Sequence, residues 1–121
     1  MIETIAIDTN IIIRAFAGDA QCQNLLNGKI PVVSIITEIE LLSWPQLSPD
    51  DYSLLISFLQ DCFILGLSEE VKDEVIQLRR KYALKLPDAI IAATAITRQL
   101  PLFSADDIFY RVKELNFILV Q

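Results

Sequence analysis

The sequence predicts an α/β protein, a three-layer α/β/α sandwich around a central parallel sheet of four to five strands. Short apolar runs rich in β-branched residues alternate with longer stretches of helical period. The runs show no polar face, the pattern of strands covered on both sides. Strands that alternate with helices pair in parallel and carry helices on either face. With 121 residues, the chain is expected to form a single domain, 1–121, whose core needs neither disulfide nor structural metal.

The elements follow in order. Thr4 to Ile7 is the first strand, and Gly18 and Gly28 mark turns around a short helix from Asp19 to Leu26. Ile30 to Val33 is the second strand, followed by helical period over Ile35 to Ser43. A helix from Asp50 to Gln60 opens at Ser48-Pro49-Asp50, with proline in the first turn. Phe63 to Leu65 is a third, weaker strand. Ser68 caps a helix from Glu69 to Tyr82, whose first two acids suit the positive end of the helix dipole. A last helix, Pro87 to Gln99, is stopped by Pro101, and strands at Leu102 to Phe103 and Phe117 to Val120 complete the set. There is no repeat, low-complexity tract or linker.

Composition excludes several classes of function. The chain has no histidine, and Cys22 and Cys62 stand alone. Zinc sites and thiol–imidazole catalysis therefore lack their parts, and both cysteines read as small buried thiols of a reducing compartment. No apolar stretch is long enough to span a bilayer, and the opening Met-Ile-Glu-Thr has no basic leader, so a soluble, cytoplasmic protein without membrane contact is expected. A net charge of −6 opposes nonspecific nucleic-acid binding. Arg79, Arg80, Lys81 and Lys85 form a local basic cluster, with Arg98 after the next helix. The cluster reads first as a solvated face balancing Glu69, Glu70, Asp73 and Glu74, and second as a surface for RNA. Trp44, Tyr52, Tyr82 and Tyr110 read as core or interface more readily than as base-stacking groups. A mean hydropathy of +0.44 implies apolar surface covered by another chain, and a homodimer is expected.

Carboxylates are what remain for chemistry. In open parallel sheets ligands bind beyond the carboxyl ends of the strands. Asp8 ends the first strand there, and Asp106 follows the strand at Leu102 to Phe103. The helix from Pro87 runs antiparallel to that strand for roughly 20 Å, at about 1.5 Å per residue, which brings Asp88 level with Asp106. Asp88 also heads the apolar stripe Ile91, Ala92, Ala95, where an unpaired charge is costly. It reads equally as a first-turn acid favoured by the dipole after Pro87. Glu38 and Glu40 are about 200° apart on a helical wheel, so only one can face a given cleft, and periodicity does not choose between them. Clustered acids raise one another's pKa unless a cation neutralises them, and an all-oxygen site suits Mg²⁺ or Mn²⁺.

Four segments carry a family resemblance: Asp8-Thr9-Asn10, Ser34-x-x-Thr37-x-x-Glu40-Leu41, Leu86-Pro87-Asp88-Ala89-x-Ile91-Ala92-Ala93, and Ser104-x-Asp106-x-x-Phe109. In order and spacing they resemble the signatures of PIN domains, above all the VapC-like toxins of toxin–antitoxin pairs. The resemblance favours Glu40 over Glu38 and Asp106 over Asp107. It departs at Ser104, where these domains usually have threonine, though the hydroxyl is kept. It implies a PIN-like fold, with Asp8, Asp88 and Asp106 as ligands of Mg²⁺ or Mn²⁺ and Glu40 acting through water or a second ion. Thr9, Asn10 and Ser104 would orient the acids, a role compatible with their other reading as turn and cap residues. The implied activity is that of a metal-dependent endoribonuclease cutting structured RNA such as tRNA or rRNA, restrained by a cognate antitoxin protein.

Two other readings compete. One is a non-catalytic PIN-like module that binds RNA or protein. The other is a phosphatase with Asp8 as nucleophile, which would want a second Asp where the chain has Asn10.

Overall fold

Five strands lie side by side in the order β3-β2-β1-β4-β5, every neighbouring pair parallel. They are β1 (Thr4–Ile7), β2 (Ile30–Ser34), β3 (Phe63–Leu65), β4 (Leu102–Ser104) and β5 (Phe117–Leu119). The structure is a computed structural model that describes residues 2–121, so Met1 of the expected domain lies outside the described residues. Six helices connect the strands: α1 (Thr9–Phe16), α2 (Ala20–Leu26), α3 (Ile35–Leu42), α4 (Pro49–Gln60), α5 (Glu69–Lys81) and α6 (Leu86–Thr97). A 3₁₀ turn, Asp107–Arg111, separates β4 from β5. The α/β class and the parallel sheet are as the sequence predicts.

Side-chain alternation along β1 splits the interior in two. Ile5 and Ile7 join Val33, Ile11, Ile12, Cys22, Leu41 and Leu55 on one face. Ala6 joins Leu102, the α5 residues Val71, Val75 and Leu78, and the α6 alanines on the other. Helix α6 is buried without interruption from Ala89 to Ala95, and its small residues let α5 pack closely against it.

The chain winds outward from β1 through β2 to β3, then returns to the other side of β1 as β4. The direction of winding therefore reverses between β1 and β4. Such a switch point opens a crevice at the carboxyl ends of the two strands. Register makes those ends level: Ile7 pairs with Phe103, and the Asp8 N–H donates to the Phe103 carbonyl at 3.0 Å.

Caps hold as expected at Ser48, whose Oγ accepts the Asp51 N–H at 3.0 Å, and at Ser68, whose Oγ accepts that of Val71 at 3.2 Å. Gly18 and Gly28 take φ of 98° and 73°, the left-handed region that glycine enters freely. Residues 9–16, to which the sequence pattern assigns no element, form α1. Ile11-Ile12-Ile13 is a stiff β-branched run that reads as strand. Burial of Ile11, Ile12 and Ala15 and the Asp8 cap override that local preference. The 3₁₀ turn is likewise unassigned by the pattern, while the other element ends lie within two residues of expectation. Both cysteines are free; Cys22 is fully buried, and burial pushes the half-buried Cys62 thiol up to about 12. Among the described residues no helix is long and apolar enough to cross a membrane.

Candidate active site

Asp8, Asp88 and Asp106 each stand at the start of a helical segment. Asp8 is the N-cap of α1, Asp88 lies in the first turn of α6, and Asp106 caps the 3₁₀ turn, its Oδ1 accepting the Ile108 N–H at 3.0 Å. The positive ends of helices favour negative charge, which offsets part of the repulsion among the acids. Glu40 has no such support, since it falls in the last turn of α3. It is tethered instead by the Thr9 hydroxyl, which donates to Oε1 at 2.6 Å.

Asp8 is the buried floor of the group, 6 % exposed. Its Oδ1 accepts the Thr9 N–H at 2.7 Å. Its Oδ2 accepts the Ser104 hydroxyl at 2.7 Å and the Asn10 amide at 3.2 Å. Ser104 Oγ in turn accepts from Asn10 Nδ2 at 3.2 Å and from the Asp106 N–H at 3.0 Å, and Asn10 Oδ1 accepts the Ala105 N–H at 3.1 Å. Thr9, Asn10 and Ser104 thus form a lattice that fastens the end of β1 to the end of β4 and aims Asp8. Asp88 is half-buried, while Glu40 and Asp106 are exposed, so the acids climb from a closed floor to an open rim.

The electrostatics follow from this placement. Desolvation by burial is the main cause that raises the Asp8 carboxyl; its hydrogen bonds to Ser104 and Thr9 pull the other way, and the charges of Asp88 and Glu40 add to the rise. Burial also raises Asp88, joined by repulsion from Asp106 and Glu40 and partly countered by Lys85. Asp8 and Asp88 therefore both feel the charges of other acids of the group. None belongs to an ion pair among the described residues. As the side chains stand, no three ligating groups among the described residues close on one point.

The remaining candidates separate. Glu38 is half-buried and makes no hydrogen bond to the group, and the charge acting on Asp88 is that of Asp106 rather than Asp107. In the basic cluster, Arg79 Nε donates to the Leu84 carbonyl at 3.3 Å and Lys81 pairs with Glu114 at 3.0 Å. Arg80 is exposed on α5, and Lys85 is the N-cap residue of α6, one turn from Asp88. Of the four aromatics, Tyr82 is half-buried against the core with its hydroxyl on Glu114, while Trp44, Tyr52 and Tyr110 are exposed. Thr37 was given no role by the sequence, yet it is fully buried and its hydroxyl meets that of Thr9 at 3.1 Å. The available signal was the place of Thr37 in the Ser34-x-x-Thr37-x-x-Glu40 segment, a hydroxyl one turn before the acid. Two surface grooves, one between α5 and α6 and one beside α1 and α2, contain none of the four acids.

The family model of the PIN domain matches residues 5–115. This chain belongs to the PIN domain family. Several solved structures share the PIN fold seen here. A toxin–antitoxin complex from Klebsiella pneumoniae is similar at a TM-score of 0.81 and 28% identity, over 92% of this chain and 94% of that one. VapBC2 from Rickettsia felis, bound to a DNA fragment from its promoter, gives 0.85 and 21% over 98% and 99%. FitAcB from Neisseria gonorrhoeae gives 0.79 and 22% over 94% and 96%. No curated protein matches the chain in sequence. The match spans the strand ends, helices and turn that carry all four acids of this PIN domain.

Proposed function

We propose that this PIN domain is a metal-dependent endoribonuclease of the cytoplasm that cuts structured RNA such as tRNA or rRNA, and that it is the toxin of a toxin–antitoxin pair. The observation that carries the reading is the set of four carboxylates, outside any ion pair among the described residues, at the switch point between β1 and β4, with Asp88 under the charges of Asp106 and Glu40. Their hard oxygen donors fit Mg²⁺ or Mn²⁺. Asp8, Asp88 and Asp106 would hold the cation, with Glu40 joining through water or a second ion. When bound, the cation would supply a water of lowered pKa and stabilise charge on the scissile phosphate.

The protein groups have separable tasks. Ser104 and Asn10 aim Asp8, and the Ser104 hydroxyl opposes part of the rise that burial imposes on its carboxyl. Thr9 takes one oxygen of Glu40, leaving Oε2 to orient the attacking water and accept its proton. Lys85, beside Asp88, suits a phosphate of the RNA backbone. The similar complexes from Klebsiella pneumoniae and Rickettsia felis support an antitoxin partner for this chain as well.

The test is incubation of the purified chain with total tRNA and rRNA in Mg²⁺ or Mn²⁺, with EDTA and Asp88→Asn as controls. Discrete cuts lost in both controls are expected. Asp8→Asn is also expected to abolish cleavage while keeping the fold, as read by circular dichroism. Cleavage retained in folded Asp8→Asn would sink the assignment, and failure of the chain to bind Mn²⁺ would favour a non-catalytic module.

A further inference from the structure

Asp88 and Asp106 reach the acid group on separate segments, Asp88 from the linker that enters α6 and Asp106 from β4 at the head of the 3₁₀ turn. Lys85, the N-cap residue of α6, makes no side-chain capping bond, so the first turn of that helix is placed by whatever holds residues 82–84. All three are fastened. The Tyr82 hydroxyl donates to Glu114 Oε1 and accepts the Lys113 N–H at 3.4 Å. The Ala83 carbonyl accepts Arg111 Nη1 at 2.9 Å, and the Leu84 carbonyl accepts Arg79 Nε at 3.3 Å. Lys81, one residue earlier, pairs with the other oxygen of Glu114 at 3.0 Å. Leu84 is also buried in one cluster with Ala89, Phe109 and Val112.

Apart from the Arg79 bond, these fastenings run to a single stretch, Arg111 to Glu114. That stretch continues the turn that Asp106 caps, and Arg111 is the last residue of the turn. The linker leading to Asp88 and the turn leading from Asp106 are thus joined by side chains outside the acid group. The joint holds against repulsion, because the charge of Asp106 acts on Asp88. On unjoined segments the two carboxylates would move apart, and a cation binding both would have to draw them back at the expense of its affinity. We propose that Tyr82, Arg111 and Glu114 are positioning residues that hold Asp88 and Asp106 at the separation a divalent cation bridges. None of the three bonds to an acid of the group among the described residues; each acts through the backbone that carries one. This role rests on the reading of the four acids as a metal site, and the two can fail separately.

Calorimetric titration of the metal-free chain with MnCl₂ reads the joint directly, on variants shown by circular dichroism to be folded. Tyr82→Phe, Arg111→Met and Glu114→Leu should each weaken Mn²⁺ binding by about tenfold, the low end of what loss of an orienting partner costs. Arg111→Met removes a positive charge, which by charge alone would tighten cation binding, so weaker binding marks geometry. Glu114→Gln keeps an oxygen for the Tyr82 hydroxyl and should retain most of the affinity. Tyr82→Phe combined with Glu114→Leu should bind no more weakly than either alone, since both remove the same bond. Lys72→Met, which breaks an exposed ion pair near the other end of α5, should leave the affinity unchanged. If Asp8→Asn abolishes binding while Tyr82→Phe and Glu114→Leu bind as the wild type does, the joint alone is overturned. Tighter binding by Arg111→Met, or an equal loss in Lys72→Met, would overturn it too. A wild-type chain that binds no Mn²⁺, or binds it no better than Asp8→Asn, would overturn the metal site and the joint with it.

Discussion

Asp88 is half-buried, accepts no hydrogen bond from the described residues, and sits among the charges of Asp106 and Glu40. An ionised carboxylate in that setting opposes folding. Asp88→Asn removes the charge and forfeits no described hydrogen bond, so without divalent cation it should raise Tm by about 2 °C, a modest gain because solvent screens a partly exposed group. The pH dependence has a definite sign. The Asp8 and Asp88 carboxyls are raised in the folded chain, so between the ordinary value of about 3.9 and the raised values the folded state holds more protons than the unfolded one. Their contribution to stability therefore falls as pH rises through that window. Thermal melts should show the advantage of Asp88→Asn at pH 7 and its disappearance as pH falls toward about 4. An equal gain at both pH values would mean that charge is not the cause. Thr9 tests the opposite kind of residue, one that acts through another. Thr9→Val frees Glu40 from its 2.6 Å tether and should weaken Mn²⁺ binding by about 10- to 100-fold in calorimetric titration. Unchanged affinity would confine Thr9 to a structural role.

At the scale of elements, α6 is the tightest constraint. Ala92 and Ala93 have no exposed surface and sit in the core that α5, α6 and the sheet share. Ala92→Leu should therefore cost about 1–3 kcal/mol and lower Tm by roughly 5–10 °C, measured by calorimetry, because the added methylenes have nowhere to go. A neutral result would mean that the α5–α6 packing is looser than the burial implies. The segment joining the two helices is also pinned: Arg79 Nε reaches the Leu84 carbonyl, and Arg111 Nη1 the Ala83 carbonyl at 2.9 Å. That is how Lys85 is held beside Asp88. Most elements were legible because their ends are chemically marked, by Ser48-Pro49, Ser68 and Pro101. Helix α1 was not, because three isoleucines in a row carry a strand-like local signal that only burial reverses. Asp88 could be brought level with Asp106 from helix length alone. The environment of Glu40 could not be read, because its tether comes from Thr9, 31 residues away, and the helix around it has no polar stripe. Partners so distant in sequence leave no periodic trace.

The whole molecule is acidic and unusually apolar at its surface. Ile39, Trp44, Leu54, Phe63 and Tyr110 each expose more than half of their surface, in keeping with covering by other chains. A net charge of −6 opposes nonspecific binding of nucleic acid, so the RNA binding proposed above has to be local. Arg79 and Lys81 are engaged within the fold, so the basic cluster leaves Arg80 and Lys85 for phosphates, and binding of structured RNA by Asp8→Asn should weaken by roughly tenfold between about 50 and 200 mM salt. A hundredfold loss in fluorescence anisotropy would reveal a broader basic face. One feature of the sheet bears on the order of biosynthesis. Strand β1 is made first, but its neighbour β4 and the hydroxyl that aims Asp8 come 96 residues later, and the turn carrying Asp106 later still. A chain still leaving the ribosome holds its acids apart on unjoined segments. The four-acid group closes only after Ser104 and Asp106 have been made, so a chain cut before β4 lacks both the hydroxyl that aims Asp8 and the last of the acids.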